Sequence, residues 1–104
     1  MVGCGATCEN EVLSHAVSPS GRLMAVAFSR NCGATTAFNV QVSILRTGSR
    51  PKNGEGNALI ADSADLASLA WKGENTVEAK FSREPRVFKS SPVDGVRVVT
   101  SASL

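Results

Sequence analysis

The sequence predicts an all-β protein: an antiparallel sheet of about seven short strands, sandwich-like or strongly twisted, with at most one short helical turn. Three observations carry this. Val, Thr and Ser are plentiful while long segments of 3.6-residue periodicity are lacking. Turn signals recur between short apolar runs. The aromatic residues are Phe28, Phe38, Trp71, Phe81 and Phe88 with no Tyr, so the core must rest on Val, Leu, Ile and Ala. The 104 residues make one domain, 1–104, with no internal repeat. At that size a core is marginal, so a disulfide or a partner subunit matters.

In chain order, residues 1–11 read as an irregular N-terminus. Val12 to Ser18 reads as a strand. Ser18-Pro19-Ser20-Gly21-Arg22 is a turn: Pro19 pre-sets φ and Gly21 takes the left-handed conformation. A three-residue hairpin loop fits it. Leu23 to Arg30 returns. In that register Ala16 faces Met24, Ser14 faces Val26, Val12 faces Phe28 and Cys8 faces Cys32. Both faces of this hairpin are apolar, so it is central in a sandwich or covers a subunit interface. A bulge anywhere in the ladder breaks the register.

Cys32-Gly33-Ala34-Thr35-Thr36-Ala37-Phe38 joins this hairpin to the cleanest strand. There Phe38, Val40, Val42 and Ile44 alternate with Asn39, Gln41 and Ser43, so one face is buried. Residues 46–57 form a Gly-rich polar loop, expected to be mobile. Ala58 to Ala61 is a short strand. Residues 62–67 hold at most one helical turn, capped by Asp62 or Ser63. Leu69 to Lys72 and Thr76 to Ser82 read as a second hairpin. Arg86 to Lys89 and Val96 to Thr100 read as a third, turning through Ser90-Ser91-Pro92-Val93-Asp94-Gly95.

Charge and hydropathy narrow the function classes. Hydrophobic residues are 42% and charged residues 19%, which is globular composition rather than disorder. Net charge is +2 with no block of one sign, so nucleic acid is not the expected partner. No apolar run approaches the roughly 18 residues of a membrane span. Only three residues precede Cys4, so an export leader is not expected in this sequence.

The cysteines hold the strongest chemistry. Cys8 and Cys32, opposed across a hairpin, suit a disulfide in an oxidising compartment. Two buried free thiols are the alternative. Zinc on Cys4, Cys8, Cys32 and His15 is a third reading, but the spacing matches no ribbon or finger pattern. Met1-Val2-Gly3-Cys4 has the form of the end of a bacterial lipoprotein signal.

Several stretches together resemble a family of small uncharacterised bacterial proteins, secreted or lipoprotein-like. They are Cys8-Glu9-Asn10-Glu11-Val12-Leu13-Ser14, Ser18-Pro19-Ser20-Gly21-Arg22-Leu23, Asn31-Cys32-Gly33-Ala34-Thr35-Thr36-Ala37-Phe38 and Gln41-Val42-Ser43-Ile44-Leu45. Arg86-Val87-Phe88 and Val93-Asp94-Gly95-Val96 echo the family's end, while residues 46–70 depart from it. The resemblance implies a disulfide pair and a periplasmic or cell-envelope location, with a lipid anchor at Cys4 if a leader is missing from this sequence. Without one, a cytoplasmic location stands. The chain also resembles the products of mobile gene cassettes. The resemblance implies no activity and supplies no functional residues.

His15 is the only histidine, on a face with Leu13 and Val17, and reads as structural. No Gly-x-Ser-x-Gly elbow and no phosphate loop is present. Gly54-Glu55-Gly56 reads as turn chemistry. Glu9 with Glu11, and Asp62 with Asp65, read as solvated carboxylates. Lys80 to Lys89 interleaves basic and aromatic residues as a single-stranded nucleic-acid platform does; two strand ends around an exposed turn, with Phe81 and Phe88 in the core, are the far more common source of such a run, and the low overall charge does not favour the platform. Thr35 and Thr36 offer hydroxyls to a ligand or partner, or to the loop's own backbone.

The expectation is therefore a non-enzymatic binding or interaction domain with no metal or cofactor. Its partner is a second copy, through an apolar hairpin face, or an unknown protein or small ligand. The alternative is a small enzyme with its site at Gly33–Thr36 and His15. A weaker alternative is a nucleic-acid binder through residues 80–89.

Overall fold

The computed structural model describes residues 8–33, 38–62 and 64–102. The described chain is all-β, with eight strands in two sheets rather than about seven in one. They are β1 Glu9–Val17, β2 Leu23–Asn31, β3 Asn39–Arg46, β4 Leu59–Asp62, β5 Leu66–Trp71, β6 Thr76–Phe81, β7 Arg86–Ser90 and β8 Arg97–Ala102. One sheet runs β1-β2-β3-β4-β7, all antiparallel; the other runs β5-β6-β8, with β6 and β8 parallel. Strand begins at Glu9, so residues 9–11 of the expected irregular start belong to β1.

The sheets share one core. Leu23, Ala25 and Ala27 of β2, Val40, Val42 and Ile44 of β3, and Leu59 and Ala61 of β4 supply the inner face of the larger sheet. Leu69, Val77, Ala79, Phe81 and Val98 answer from the smaller. The alternate spacing within each strand is the period of two that puts one face inward. Trp71 joins the two sheets at an edge: its indole N–H donates to the Ala16 carbonyl at 2.8 Å.

The first hairpin departs from its expected register twice, in compensating directions. Leu23, not Arg22, pairs with Ser18 to close the loop: the Ser18 N–H donates to the Leu23 carbonyl at 2.8 Å. The loop is therefore four residues long, Pro19 to Arg22, with Gly21 at φ 82°. Ser20 is held by Glu74, whose carboxylate accepts both its N–H and its hydroxyl. Near the turn, Val17 faces Met24, Ala16 faces Ala25, His15 faces Val26 and Ser14 faces Ala27. These replace the expected partners of Ala16 and Ser14. A bulge at Leu13 then restores the offset, so Val12 faces Phe28 and Glu9 faces Asn31. Cys8 and Cys32 come together as expected, as a disulfide with Cα atoms 4.0 Å apart.

The second hairpin forms, with Leu69 opposite Ala79 and Trp71 opposite Val77. The third does not. β7 pairs with β4 in one sheet, and β8 lies parallel to β6 in the other. The chain crosses between layers through a tight Val93–Val96 turn, in which Asp94 and Gly95 take φ of 51° and 76°. Two successive positive φ values are what a two-residue turn of the mirror-image type needs, and Asp-Gly suits it.

β2 is buried on both sides. Its inner residues meet the core. On the outer face, Val26 and Phe28 are each only 3% exposed. The 47–56 segment passes over them. Its Gly56 N–H donates to Gln41 Oε1 at 2.8 Å, and the neighbouring Asn57 N–H donates to Ser43 Oγ at 3.2 Å. At its far end Asn10 Nδ2 donates to the Gly54 carbonyl at 2.9 Å. Gln41 and Ser43 on β3, and Asn10 on β1, flank Val26 and Phe28 from either side. Residues 46–57, expected to be the mobile loop, are thus tied to the sheet at both ends. The two-sided apolar character of β2 is satisfied within the chain, while Val12, Leu13 and Val17 of β1 stay exposed.

Candidate functional site

The two sheets differ in length, and that difference builds a polar depression on the inner face. At about 3.3 Å per residue, the nine-residue β1 and β2 run roughly 30 Å and the six-residue strands of the smaller sheet roughly 20 Å. Beyond the smaller sheet, the inner row of β2 changes from Leu23, Ala25 and Ala27 to Ser29 and Asn31. Opposite these two stand Glu11 and Glu9 of β1. Phe38, immediately before β3, lines the same depression and is 49% exposed. The result is a ledge of about 400 Å³ lined by Glu9, Glu11, Ser29, Asn31 and Phe38, with Asn10 and Arg30.

The ledge is acidic and carries one aromatic ring. Glu9 and Glu11, two apart on one strand, project to the same side. Neither forms an ion pair among the described residues. Arg30 lines the same depression and offsets part of their charge, but its guanidinium is hydrogen-bonded to Asn10 Oδ1 at 2.9 Å and Asn53 Oδ1 at 3.2 Å rather than ion-paired with either carboxylate. Phe38, expected to be buried with Val40, Val42 and Ile44, lies outside the core because the smaller sheet stops short of it. Gln41 and Ser43, on the other face of β3, are buried and accept hydrogen bonds from the Gly56 and Asn57 N–H groups.

The residues singled out from sequence fall in three places. Cys8 and Cys32 close the hairpin beside the ledge. Thr35 and Thr36 lie outside the described residues, as does Cys4. His15 is exposed at the other end of the hairpin, opposite Val26. From Val26 to Gly33 is seven residues, on the order of 20 Å along a strand, so His15 and Gly33 do not share a site. Cys8 and Cys32, being bonded to each other, are not free to hold zinc. No group of three His, Cys, Asp or Glu able to hold a metal occurs among the described residues.

The basic-aromatic run at 80–89 is divided between layers. Phe81 is fully buried in the core. Phe88, expected there with it, is 59% exposed at the edge strand β7, with the Arg86 guanidinium 5.1 Å from its ring centre. A stacking platform needs several exposed rings, and one of this pair is withdrawn.

Sequence reasoning missed Asn10, Arg30 and Asn53. No local pattern marks them, because their roles come from a segment 23 to 45 residues away folding back onto β2 and the start of β1. The polarity change at Ser29 and Asn31 was visible in the sequence, but its meaning depended on the length of the opposing sheet. No protein-family model, no curated protein and no solved structure matches the chain.

Proposed function

We propose that this is a non-enzymatic binding domain of the small exported bacterial type, with the ledge as its contact surface. The observation that carries this reading is a polar sheet face with two exposed carboxylates that form no ion pair among the described residues, beside a half-exposed phenylalanine. The disulfide supports an oxidising compartment, the periplasm or cell envelope, because such bonds persist there. The separation of His15 from Gly33 weighs against an enzyme built on that pair.

The test is amide shift mapping of the oxidised full chain against a set of small cationic, neutral and anionic aromatic fragments. Shifts converging on Glu9, Glu11, Asn31 and Phe38, and lost in Phe38→Ala, support the reading. Shifts scattered over the surface, or none at all, refute it.

A second reading is self-association. Val12, Leu13 and Val17 are 55%, 40% and 47% exposed on the edge strand β1. Size-exclusion chromatography with light scattering decides it: a strictly monomeric protein at high concentration removes the homodimer.

A further inference from the structure

We infer that the Cys8–Cys32 disulfide is the clasp of a flap, so that its reduction releases the 47–56 segment and uncovers an apolar face around Val26 and Phe28.

The inference begins with what holds the flap. Its base is fixed to β3 by Gly56 and Asn57, through Gln41, Ser43 and the backbone of Ile44. Its tip, residues 52–54, is held differently. Asn53 Nδ2 donates to the Cys8 carbonyl at 2.8 Å, and its Oδ1 accepts from Arg30. Asn10 Nδ2 donates to the carbonyls of Lys52 and Gly54. A cleft of about 440 Å³ runs between Pro51, Lys52 and Asn53 and the strand residues Glu9, Asn10 and Val12. The tip is therefore moored by a few hydrogen bonds rather than by packed apolar surface.

Those bonds land on the last rungs of the first hairpin, Asn10 opposite Arg30, one step from Glu9 opposite Asn31. On the β2 side the Asn39 side chain clamps both the N–H and the carbonyl of Arg30, so the weaker side of these rungs is β1. β1 is an edge strand. Its inner side here is the ledge, where Glu9 and Glu11 are exposed and outside the described core. An edge rung without apolar cover opens locally far more readily than the core. The disulfide is the covalent link that keeps Cys8 and the rungs next to it in place. The flap tip and the hairpin end thus lean on each other, and the sulfur bridge closes both.

The chemistry is thiol–disulfide exchange with an external dithiol. A thiolate of the reductant attacks one of the two half-buried sulfurs and forms a mixed disulfide, expelling the other as thiolate. The reductant's second thiolate then displaces the first sulfur. Cys8 and Cys32 end as two thiols, having gained two electrons and two protons, and the reductant ends as a disulfide. Without the bridge the end rungs fray, the Cys8 carbonyl and Asn10 leave their positions, and the tip loses its moorings. Val26 and Phe28 then face solvent while the inner core, which does not involve the flap, stays closed.

The experiment is amide hydrogen exchange by mass spectrometry on the full chain, oxidised and after dithiothreitol, with 1-anilinonaphthalene-8-sulfonate fluorescence on the same samples. Reduction should speed exchange across 50–56 by roughly tenfold or more and raise dye fluorescence at times when β3 and β6, though less stable without the bridge, have not yet exchanged. Asn53→Leu in the oxidised protein should reproduce the faster exchange at 50–56 with the disulfide intact. Two results overturn the inference. In one, exchange rises only at the hairpin end while 50–56 is unchanged. In the other, protection is lost everywhere at once, which makes the bridge a global staple rather than a clasp.

Discussion

Replacing Gly56 by alanine tests how the outer face is closed. Gly56 is buried, and its N–H donates to the buried Gln41 Oε1. A Cβ added there meets the Leu59 carbonyl oxygen at 2.8 Å, the Val42 carbonyl oxygen at 2.9 Å and Gln41 Cβ at 3.0 Å. Two of these three are backbone atoms of paired strands, which cannot swing aside. Overpacking of this kind costs about 1–3 kcal/mol. If the segment lifts instead, Gln41 loses its partner inside the protein at a similar cost of about 1–3 kcal/mol. Gly56→Ala should therefore destabilise by about 1–3 kcal/mol by either route, which for a chain of this size lowers Tm by about 5–20 °C. The control lies two residues away. A Cβ on Gly54 meets nothing within 4 Å, so Gly54→Ala should be neutral or raise stability by up to about 1 kcal/mol through the unfolded chain. Urea unfolding of both variants gives the comparison. If the two differ by less than about 0.5 kcal/mol, the segment is not seated on β3 as described, and the burial of Val26 and Phe28 needs another cause.

Further expectations concern the joints of the fold. Cys8→Ser with Cys32→Ser opens a loop of sequence separation 24 and should cost about 3.5 kcal/mol in the chain-entropy picture, read as a lower urea midpoint; a loss below about 0.5 kcal/mol contradicts it. Asn57→Ala removes the side chain that bonds both the N–H and the carbonyl of Ile44 and should cost about 1–3 kcal/mol, with a thermal melt as the check. Trp71→Phe keeps the ring in place but removes the donor to Ala16; about 1 kcal/mol should be lost, and amide exchange should quicken around Ala16. Glu9→Gln with Glu11→Gln should leave the Tm nearly unchanged, because both carboxylates are exposed and unpaired; a marked fall would make them structural rather than available to a partner.

The strands were legible wherever alternation was local. Val40, Val42 and Ile44, or Val77, Ala79 and Phe81, announce a buried face by spacing alone. The Cys8–Cys32 pairing was also legible, though the register behind it was not: the loop is one residue longer than its Pro-x-Gly signal suggests, and the bulge at Leu13 absorbs the difference. The β7–β8 connection misled because the Asp-Gly turn is real, but the strands around it belong to different sheets. No local residue encodes the parallel contact of β8 with β6. The 46–57 segment misled for a related reason. Its Gly and Asn residues read as solvated turn chemistry, yet Asn53 and Asn57 spend their amides on distant backbone, and Gly56 is there because nothing larger fits against β3. The ledge was half visible, in the polar turn of β2 at Ser29 and Asn31. Its exposure depended on where the opposing sheet ends.

The hairpin end supports both the ledge and the flap, so the state of its two cysteines is the most direct thing to measure. Peptide mapping by mass spectrometry, without reductant, on protein made in an oxidising compartment should find the Cys8 peptide joined to the Cys32 peptide, two protons lighter than the sum of the free peptides. Free thiols at both positions, or either cysteine joined instead to Cys4, would contradict the structure at its organising point.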